Sequence, residues 1–205
     1  MSAPVTWTVI GLTALFLVLA IVLAARSETL NVRKMAVIAM LVAVYVILSM
    51  IGTLNLWWIR ISVDSLPIIL GALLYGPLGG LLVGLLGSFL GQLLSYGLMA
   101  TTILWITPAA VRGLLIGLYA KRNKYELSTV KLAAVLNVTA LIVTAINTGV
   151  MYFDSVLYGY YTYAYVFGGL VVRIVSGVAT AIVMVFVAPP VVKLLRNTLQ
   201  QVREK

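Results

Sequence analysis

Long apolar runs separated by short polar segments dominate the chain. One uninterrupted run covers residues 5–25, and further runs cover 35–52, 66–98, 102–120, 129–151 and 166–190. A helix needs about 20 predominantly apolar residues to cross a bilayer. The pattern therefore predicts a chain built almost entirely of membrane-spanning helices, the last of which ends at Pro189 and Pro190.

The run 66–98 turns at Gly76 and Pro77 between two apolar stretches, which predicts a helical hairpin inside the membrane. Glycines at positions 80, 84, 87 and 91 recur at helical spacing. Such small residues let neighbouring backbones approach closely in lipid. We expect the hairpin to be the packing centre of the bundle, and it brings the predicted number of spans to seven.

Two polar segments interrupt the runs. Residues 53–65 alternate polar and apolar positions with the period of two that is typical of a strand. This alternation predicts an extended external loop over a cavity. Residues 152–165 hold six of the eleven tyrosines and form a second loop on the same side.

Composition places the protein in the membrane and narrows its chemistry. The chain is 63% hydrophobic and 9% charged over 205 residues, which identifies an integral membrane protein. Cysteine and histidine are absent, and there are only five carboxylates. Thiolate and imidazole metal sites and nucleophilic cysteines are therefore excluded, and we expect neither an enzyme nor a bound cofactor.

The positive charges predict the orientation of the chain. Eleven of the fourteen Lys and Arg residues fall in 26–34, 121–131 and 193–205, and seven alternating spans put these segments on one side. By the positive-inside rule this side is cytoplasmic, with the N-terminus outside and the C-terminus inside. A signal peptide is the rival interpretation of 5–25, but Arg26 follows that run instead of preceding it.

Two arginines inside predicted spans are candidates for function, because a charged side chain in a membrane is costly. Arg112 and Arg173 either pair with Asp64 and Asp154 or recognise an anionic solute through their planar guanidinium groups. Both interpretations stay open at this point.

Aromatic residues gather near the predicted outer side and allow two interpretations. They either anchor the protein at the bilayer interface or stack on a flat heteroaromatic ligand whose polar edge is met by amide and carboxylate side chains. The candidate ligand-binding residues are Trp57, Trp58, Arg60, Asp64, Gln92, Tyr96, Trp105, Arg112, Asn147, Asp154, Tyr161 and Arg173.

Small residues mark one face of the second span. Ala36, Ala39 and Ala43 share a helical face. They either pack inside the bundle or form a docking face for another membrane subunit.

Several stretches together resemble a known transporter family. They are Ala39-x-x-x-Ala43, Arg60-Ile-Ser62, Leu66-Pro-Ile-Ile-Leu70, Leu74-Tyr-Gly-Pro-Leu-Gly-Gly80 and Arg112-Gly113 before a basic loop. The chain resembles the substrate-binding S-components of energy-coupling factor (ECF) vitamin transporters, most closely the folate-type branch, over residues 33–195. That family has six spans. The resemblance therefore divides the chain into an additional N-terminal helix and linker, 1–32, and a six-helix domain, 33–205.

The resemblance implies a function that the residues alone do not give. S-components bind a vitamin or related micronutrient from outside and deliver it with a membrane coupling subunit and two cytoplasmic ATPases. It also implies that Ala39 and Ala43 contact the coupling subunit. No nucleotide-binding loop occurs in this chain, in keeping with that division of labour. The alternative is an autonomous ion-coupled transporter, which would normally carry a carboxylate in mid-span.

Overall fold

The computed structural model describes residues 3–27, 31–51, 54–56 and 59–204. Within these ranges, six helices are long and apolar enough to cross a membrane, which confirms the all-α membrane fold class. In chain order the elements are α1 (Ala3–Ser27), α2 (Val32–Ile51), β1 (Leu54–Leu56), β2 (Ile59–Ile61), α3 (Ser65–Tyr96), α4 (Thr102–Arg122), α5 (Thr129–Leu157), the short α6 (Tyr163–Phe167) and α7 (Leu170–Glu204).

The third helix is folded back on itself. Tyr75 and Gly76 have non-helical dihedral angles, and Gly76 has a φ of 65°, which glycine adopts without a steric penalty. A β-carbon placed on Gly79 would lie 2.6 Å from the carbonyl oxygen of Gly71. Eight residues along a straight helix would separate the two by about 12 Å. The predicted hairpin is therefore present, with arms 65–74 and 77–96.

The two arms of α3 differ in length. The second arm has the length of a full span, whereas the ten residues of 65–74 extend for only about 15 Å. The hydrocarbon core is about 30 Å thick. The seven predicted spans are thus realised as six long helices, one of which contains a half-length arm.

Glycines join the second arm of α3 to α4 along a tight seam. A β-carbon on Gly113 would overlap the carbonyl of Gly80, and one on Gly84 would overlap the carbonyl of Ala109. Further along the same arm, Gly87 packs against Tyr45 of α2. The glycine pattern thus packs one arm against two neighbours, as the sequence predicted, because only residues without a β-carbon permit this approach.

The last helix does not end at its proline pair. α7 continues through Pro189 and Pro190 to Glu204, so the predicted end at residue 190 is wrong. Each proline removes one backbone donor, but its φ is compatible with a helix. Packing holds the continuation in place, since Val192 is buried in the main core and the guanidinium of Arg196 donates to the carbonyl of Leu73 at 3.1 Å.

The basic segments converge on one end of the bundle. Tyr75, at the fold of α3, interacts electrostatically with Arg33. Tyr125, Lys193 and Arg196 line one cavity beside the same fold. We call this the basic end. The second arm of α3 and helix α4 run antiparallel. Gly177 of α7 packs against Thr144 of α5 toward the end of the bundle that lies opposite the basic end.

The N-terminal helix packs on the outside of the bundle. Its buried residues Leu17, Ala20 and Ala24 form a second apolar cluster with residues of α3 and α4, including Leu78 and Ile106. Its main contacts are with α3, α4 and α5. The helix therefore lies against the glycine seam and adds a layer to it.

Candidate ligand-binding cavity

A cavity of about 480 Å³ opens between α4, α5, α7 and the segment that follows β2, toward the end opposite the basic end. This volume lies in the range of roughly 300–1,000 Å³ that small-molecule sites occupy. The described residues that line it are Ser62, Arg112, Val143, Thr144, Asn147, Gly169, Val172, Arg173, Ser176, Gly177 and Thr180. The site therefore combines two cations, an amide, several hydroxyls and a few apolar groups.

Helical periodicity places most of this lining. On α7, Arg173, Ser176 and Thr180 follow one another at spacings of three and four, so they share one face. On α5, Thr144 and Asn147 do the same. These two faces meet where α5 and α7 approach each other. One face of each helix therefore supplies most of the polar groups that line the cavity.

Arg173 is held by the backbone of the neighbouring segment. Its guanidinium donates to the carbonyl of Val166 and contacts the sulfur of Met151. Its Nε is buried and has no hydrogen-bond partner among the described residues. An arginine fixed in this way presents a positive charge of set orientation to the cavity that it lines.

Arg112 lies beside an acid, as one of the two sequence interpretations expected. The carboxylate of Asp64 interacts electrostatically with Arg112 and is hydrogen-bonded to the hydroxyl of Tyr45. Oδ1 of Asp64 is buried without a hydrogen-bond partner in the described part of the chain. The interaction offsets part of the cost of placing Arg112 inside the bundle.

The β-hairpin leads into the cavity lining at Ser62, the residue that follows β2. β1 and β2 pair antiparallel, with Asn55 opposite Arg60, in agreement with the alternation in the sequence. The backbone N–H of Ser62 donates to the hydroxyl of Thr180 at 3.1 Å and ties the hairpin to α7. Trp57, Trp58 and the side chain of Arg60 lie outside the described residues.

Asp154 lies in a hydrogen-bond cluster beyond the cavity lining. Its carboxylate is 2% exposed and accepts from the hydroxyl of Thr101, the indole of Trp105 at 3.1 Å and the hydroxyl of Tyr160. Burial and the hydrogen bond to Asp154 raise the pKa of Tyr160. The sequence allowed a pairing of Asp154 with an arginine, but the structure gives it neutral donors from α4 and from the 158–162 connection.

The remaining predicted site residues lie outside the cavity lining. Gln92 and Tyr96 are on the last turns of α3, and the side chain of Tyr96 is exposed. Tyr161 packs edge-on against Tyr152 with ring centroids 5.3 Å apart. Of the twelve candidates, the structure brings Arg112, Asn147 and Arg173 together in the cavity and places Asp64 beside Arg112.

Sequence reasoning did not select the hydroxyl side chains Ser62, Ser176 and Thr180. The pattern that finds them is the spacing of Arg173, Ser176 and Thr180, which places hydroxyls on the same helical face as an arginine. That pattern is weak, because serine and threonine are common in membrane helices for packing reasons alone.

The predicted alanine face is open. Ala36, Ala39 and Ala43 are all exposed at the surface of the bundle, whereas Leu41 and Tyr45 on the other side of α2 are buried. The main contacts of α1 are with α3, α4 and α5, so α1 leaves this face uncovered. Internal packing therefore does not account for the three alanines.

A bundle of apolar helices with a polar, arginine-containing cavity at one end defines a membrane protein that binds a small solute. Residues 29–196 match the family model of the ECF-type riboflavin transporter S component. The match covers most of the chain, and the protein therefore belongs to this family of vitamin-binding membrane subunits. A search of curated proteins gives no match.

The family match refines one expectation from the sequence. It confirms an S-component, but its branch is the riboflavin type, so the placement closest to the folate-type branch is not confirmed. The match begins at residue 29, after α1. The division of the chain at residue 32 stays a prediction.

Proposed function

We propose that this protein captures riboflavin or a closely related flavin from outside the cell. It delivers the flavin inward together with a membrane coupling subunit and two ATPase subunits. The cavity shared by Arg112, Asn147 and Arg173 is the observation that carries this proposal. The riboflavin-type family match favours a flavin over a folate-like compound as cargo.

The chemistry of the lining suits a flavin. Riboflavin combines a planar ring, a polar imide edge with carbonyl acceptors, and a hydroxylated ribityl chain. The side chains of Val143 and Val172 offer apolar contact to the ring, and the amide of Asn147 offers both a donor and an acceptor to the imide edge. The hydroxyls of the lining pair with the ribityl chain.

Arg173 supplies the strongest polar contact in this proposal. Two of its nitrogens are engaged by Met151 and Val166, which fixes the plane of the guanidinium. A carbonyl of the ligand accepts from a terminal N–H of the guanidinium, because each terminal nitrogen carries a second hydrogen beyond the one that Met151 or Val166 engages. Binding then gains a charge-assisted hydrogen bond without the entropy cost of ordering a mobile side chain.

The orientation of the cavity supports uptake from outside. The basic end carries the Lys and Arg clusters and is cytoplasmic by the positive-inside rule, together with the C-terminus. The cavity lies toward the opposite end of α7 and is therefore on the external side. The exposed alanine face of α2 is the proposed contact with the coupling subunit.

The test is flavin binding by the isolated subunit. The purified protein is denatured, and released small molecules are identified by absorbance and mass spectrometry. The stripped protein is then titrated with riboflavin, followed by quenching of flavin fluorescence. We expect tight binding of riboflavin and none of folic acid. The absence of both released flavin and quenching would overturn the proposed cargo.

Two asparagines on α5 provide a matched pair of variants. Asn147 lines the cavity, whereas Asn137 donates to the carbonyl of Ala133 in its own helix. Asn147→Ala is expected to weaken riboflavin binding at least about tenfold, a loss of about 1.4 kcal/mol. Asn137→Ala is expected to bind like the parent protein. Equal effects of the two substitutions would contradict the assignment of this cavity.

The ion-coupled transporter predicts a different result. Its single chain would concentrate solute in proteoliposomes under a proton or sodium gradient, whereas an S-component alone binds without accumulation. Asp64 lies beside the cavity residue Arg112, and this interaction suits a fixed charge pair better than a titrating carrier group.

A further inference from the structure

A second cavity lies at the basic end, far from the proposed flavin site. Its volume is about 280 Å³. Its described lining consists of Leu73, Tyr125, Leu127, Leu132, Pro189, Val192, Lys193, Arg196, Asn197 and Gln200. From Arg173 to Arg196 along α7 the distance is roughly 35 Å, so the two cavities are at opposite ends of that helix.

The continuation of α7 past its prolines builds the polar wall of this cavity. Lys193, Arg196, Asn197 and Gln200 follow one another at positions i, i+3, i+4 and i+7, so they form one stripe on the helix. Arg196 is anchored to the fold of α3 through the carbonyl of Leu73. The stripe therefore faces the cavity in a fixed register.

The opposite wall is apolar and comes from the α4–α5 connection. Lys124 and Tyr125 have φ values of 54° and 63°, and the backbone N–H of Tyr125 closes the end of α4 on the carbonyl of Ala120 at 2.8 Å. This turn directs Tyr125 and Leu127 against the main core. The cavity thus has cations and amides on one side and hydrocarbon on the other.

Positive charge predominates around this cavity. None of the described lining residues is acidic. Lys121 and Arg122 in the last turn of α4 and Lys124 in the adjacent connection add positive charge, and Glu126 is the one carboxylate between residues 121 and 131. Such a cluster attracts anions, and basic pockets between membrane helices are suited to anionic lipid headgroups.

We propose that this cavity binds the headgroup of one anionic phospholipid from the leaflet at the basic end. The phosphodiester accepts from the guanidinium of Arg196 and the ammonium of Lys193, and the amides of Asn197 and Gln200 donate to the glycerol oxygens. The glycerol backbone and the upper acyl chains contact Leu127 and Val192. This site is independent of the flavin cavity and of the alanine face.

Native mass spectrometry with added phosphatidylglycerol tests the site. The detergent-purified protein is titrated with phosphatidylglycerol, phosphatidylcholine or inorganic phosphate. We expect one phosphatidylglycerol to be retained at concentrations about tenfold below those needed for phosphatidylcholine. Inorganic phosphate at millimolar concentration is not expected to displace it, because the apolar wall contributes to binding. Displacement by phosphate, or equal retention of both lipids, would overturn the proposal.

Matched charge variants distinguish binding in the cavity from nonspecific attraction of anionic lipid by the basic end. K193Q/R196Q is expected to reduce phosphatidylglycerol retention about tenfold, whereas R26Q/R122Q removes the same charge outside the lining and is expected to retain it. Because R196Q also removes the contact with Leu73, K193Q/N197A is the second test variant. Riboflavin titration of each variant checks the fold. Equal losses in the test and control variants would contradict a specific site.

Discussion

Asp154 is a buried acidic residue that holds segments of the bundle together through hydrogen bonds. It is buried, and its carboxylate accepts from three donors that belong to different segments of the chain. A carboxylate satisfied in this way has little capacity left for a ligand. We infer that Asp154 fixes the start of α4 against the end of α5 beside the cavity and does not itself bind the ligand.

We predict that D154N lowers stability and leaves the flavin site intact. The amide keeps one acceptor but turns a donor toward hydroxyl and indole groups, and an unsatisfied buried polar group costs about 1–3 kcal/mol. The measurement is the thermal unfolding midpoint, followed by riboflavin titration below it. Y160F, which removes one of the donors, is expected to have a smaller effect. Full stability with lost riboflavin binding would instead make Asp154 a ligand residue.

The residues of the cavity were only partly predictable. Arginine is so costly in a membrane that Arg112 and Arg173 stand out in the sequence alone. Hydroxyl side chains do not stand out, because a threonine in a helix can donate its hydroxyl hydrogen bond to a backbone carbonyl of the same helix. Thr144 donates to the carbonyl of Ala140, as Thr139 does to that of Val135, yet only Thr144 lines the cavity. The distinction is made by tertiary packing.

At the scale of the helices, the seam between α3 and α4 is the tightest contact of the bundle. Gly80 and Gly113 bring the two backbones together, and neither position has room for a methyl group. In lipid, such close packing replaces the hydrophobic driving force that joins helices in water.

We predict that G113A destabilises the bundle by about 1–3 kcal/mol, the usual cost of overpacking. The matched substitution is G149A in α5, where an added methyl group would meet nothing within 4 Å. Because alanine favours helix over glycine, G149A is expected to be neutral or slightly stabilising. Thermal unfolding of both variants in the same detergent gives the comparison. A stable G113A protein would show that the seam can relax.

The helices themselves were largely predictable, and their ends were not. Apolar length and glycine spacing are local properties, so the spans and the fold at Gly76 follow from the sequence. The end of α7 depends on contacts that a local rule does not contain. The proline rule predicted a stop at Pro189, but the anchoring of Arg196 to Leu73 and the burial of Val192 support further turns.

At the scale of the whole molecule, its functional surfaces are spatially separate. The proposed flavin cavity, the alanine face and the basic cavity involve different ends or faces of the bundle. A substitution on one surface is therefore expected to leave the others unaffected.

We predict that A39W abolishes assembly with the coupling subunit and leaves riboflavin affinity unchanged. An indole on this exposed face would hold α2 away from the coupling subunit in the proposed complex. It does not touch the cavity. Co-purification with the coupling subunit and riboflavin titration provide the two readouts. L141W, at an exposed apolar position of α5, is the control and should still assemble. Loss of both readouts in A39W would mean that the alanines support the fold.

The short first arm of α3 determines how far a bound solute still has to travel. The arm starts at Ser65, close to Arg112, and reaches the basic end after only about 15 Å. The floor of the cavity thus lies near the middle of the bilayer. Beneath it, the buried apolar residues Ile69, Ile116 and Leu136 line a narrow pocket of about 20 Å³. For the proposed uptake of a flavin, a ligand bound in the cavity has about half of the bilayer left to cross, and the remaining barrier is one helical arm thick.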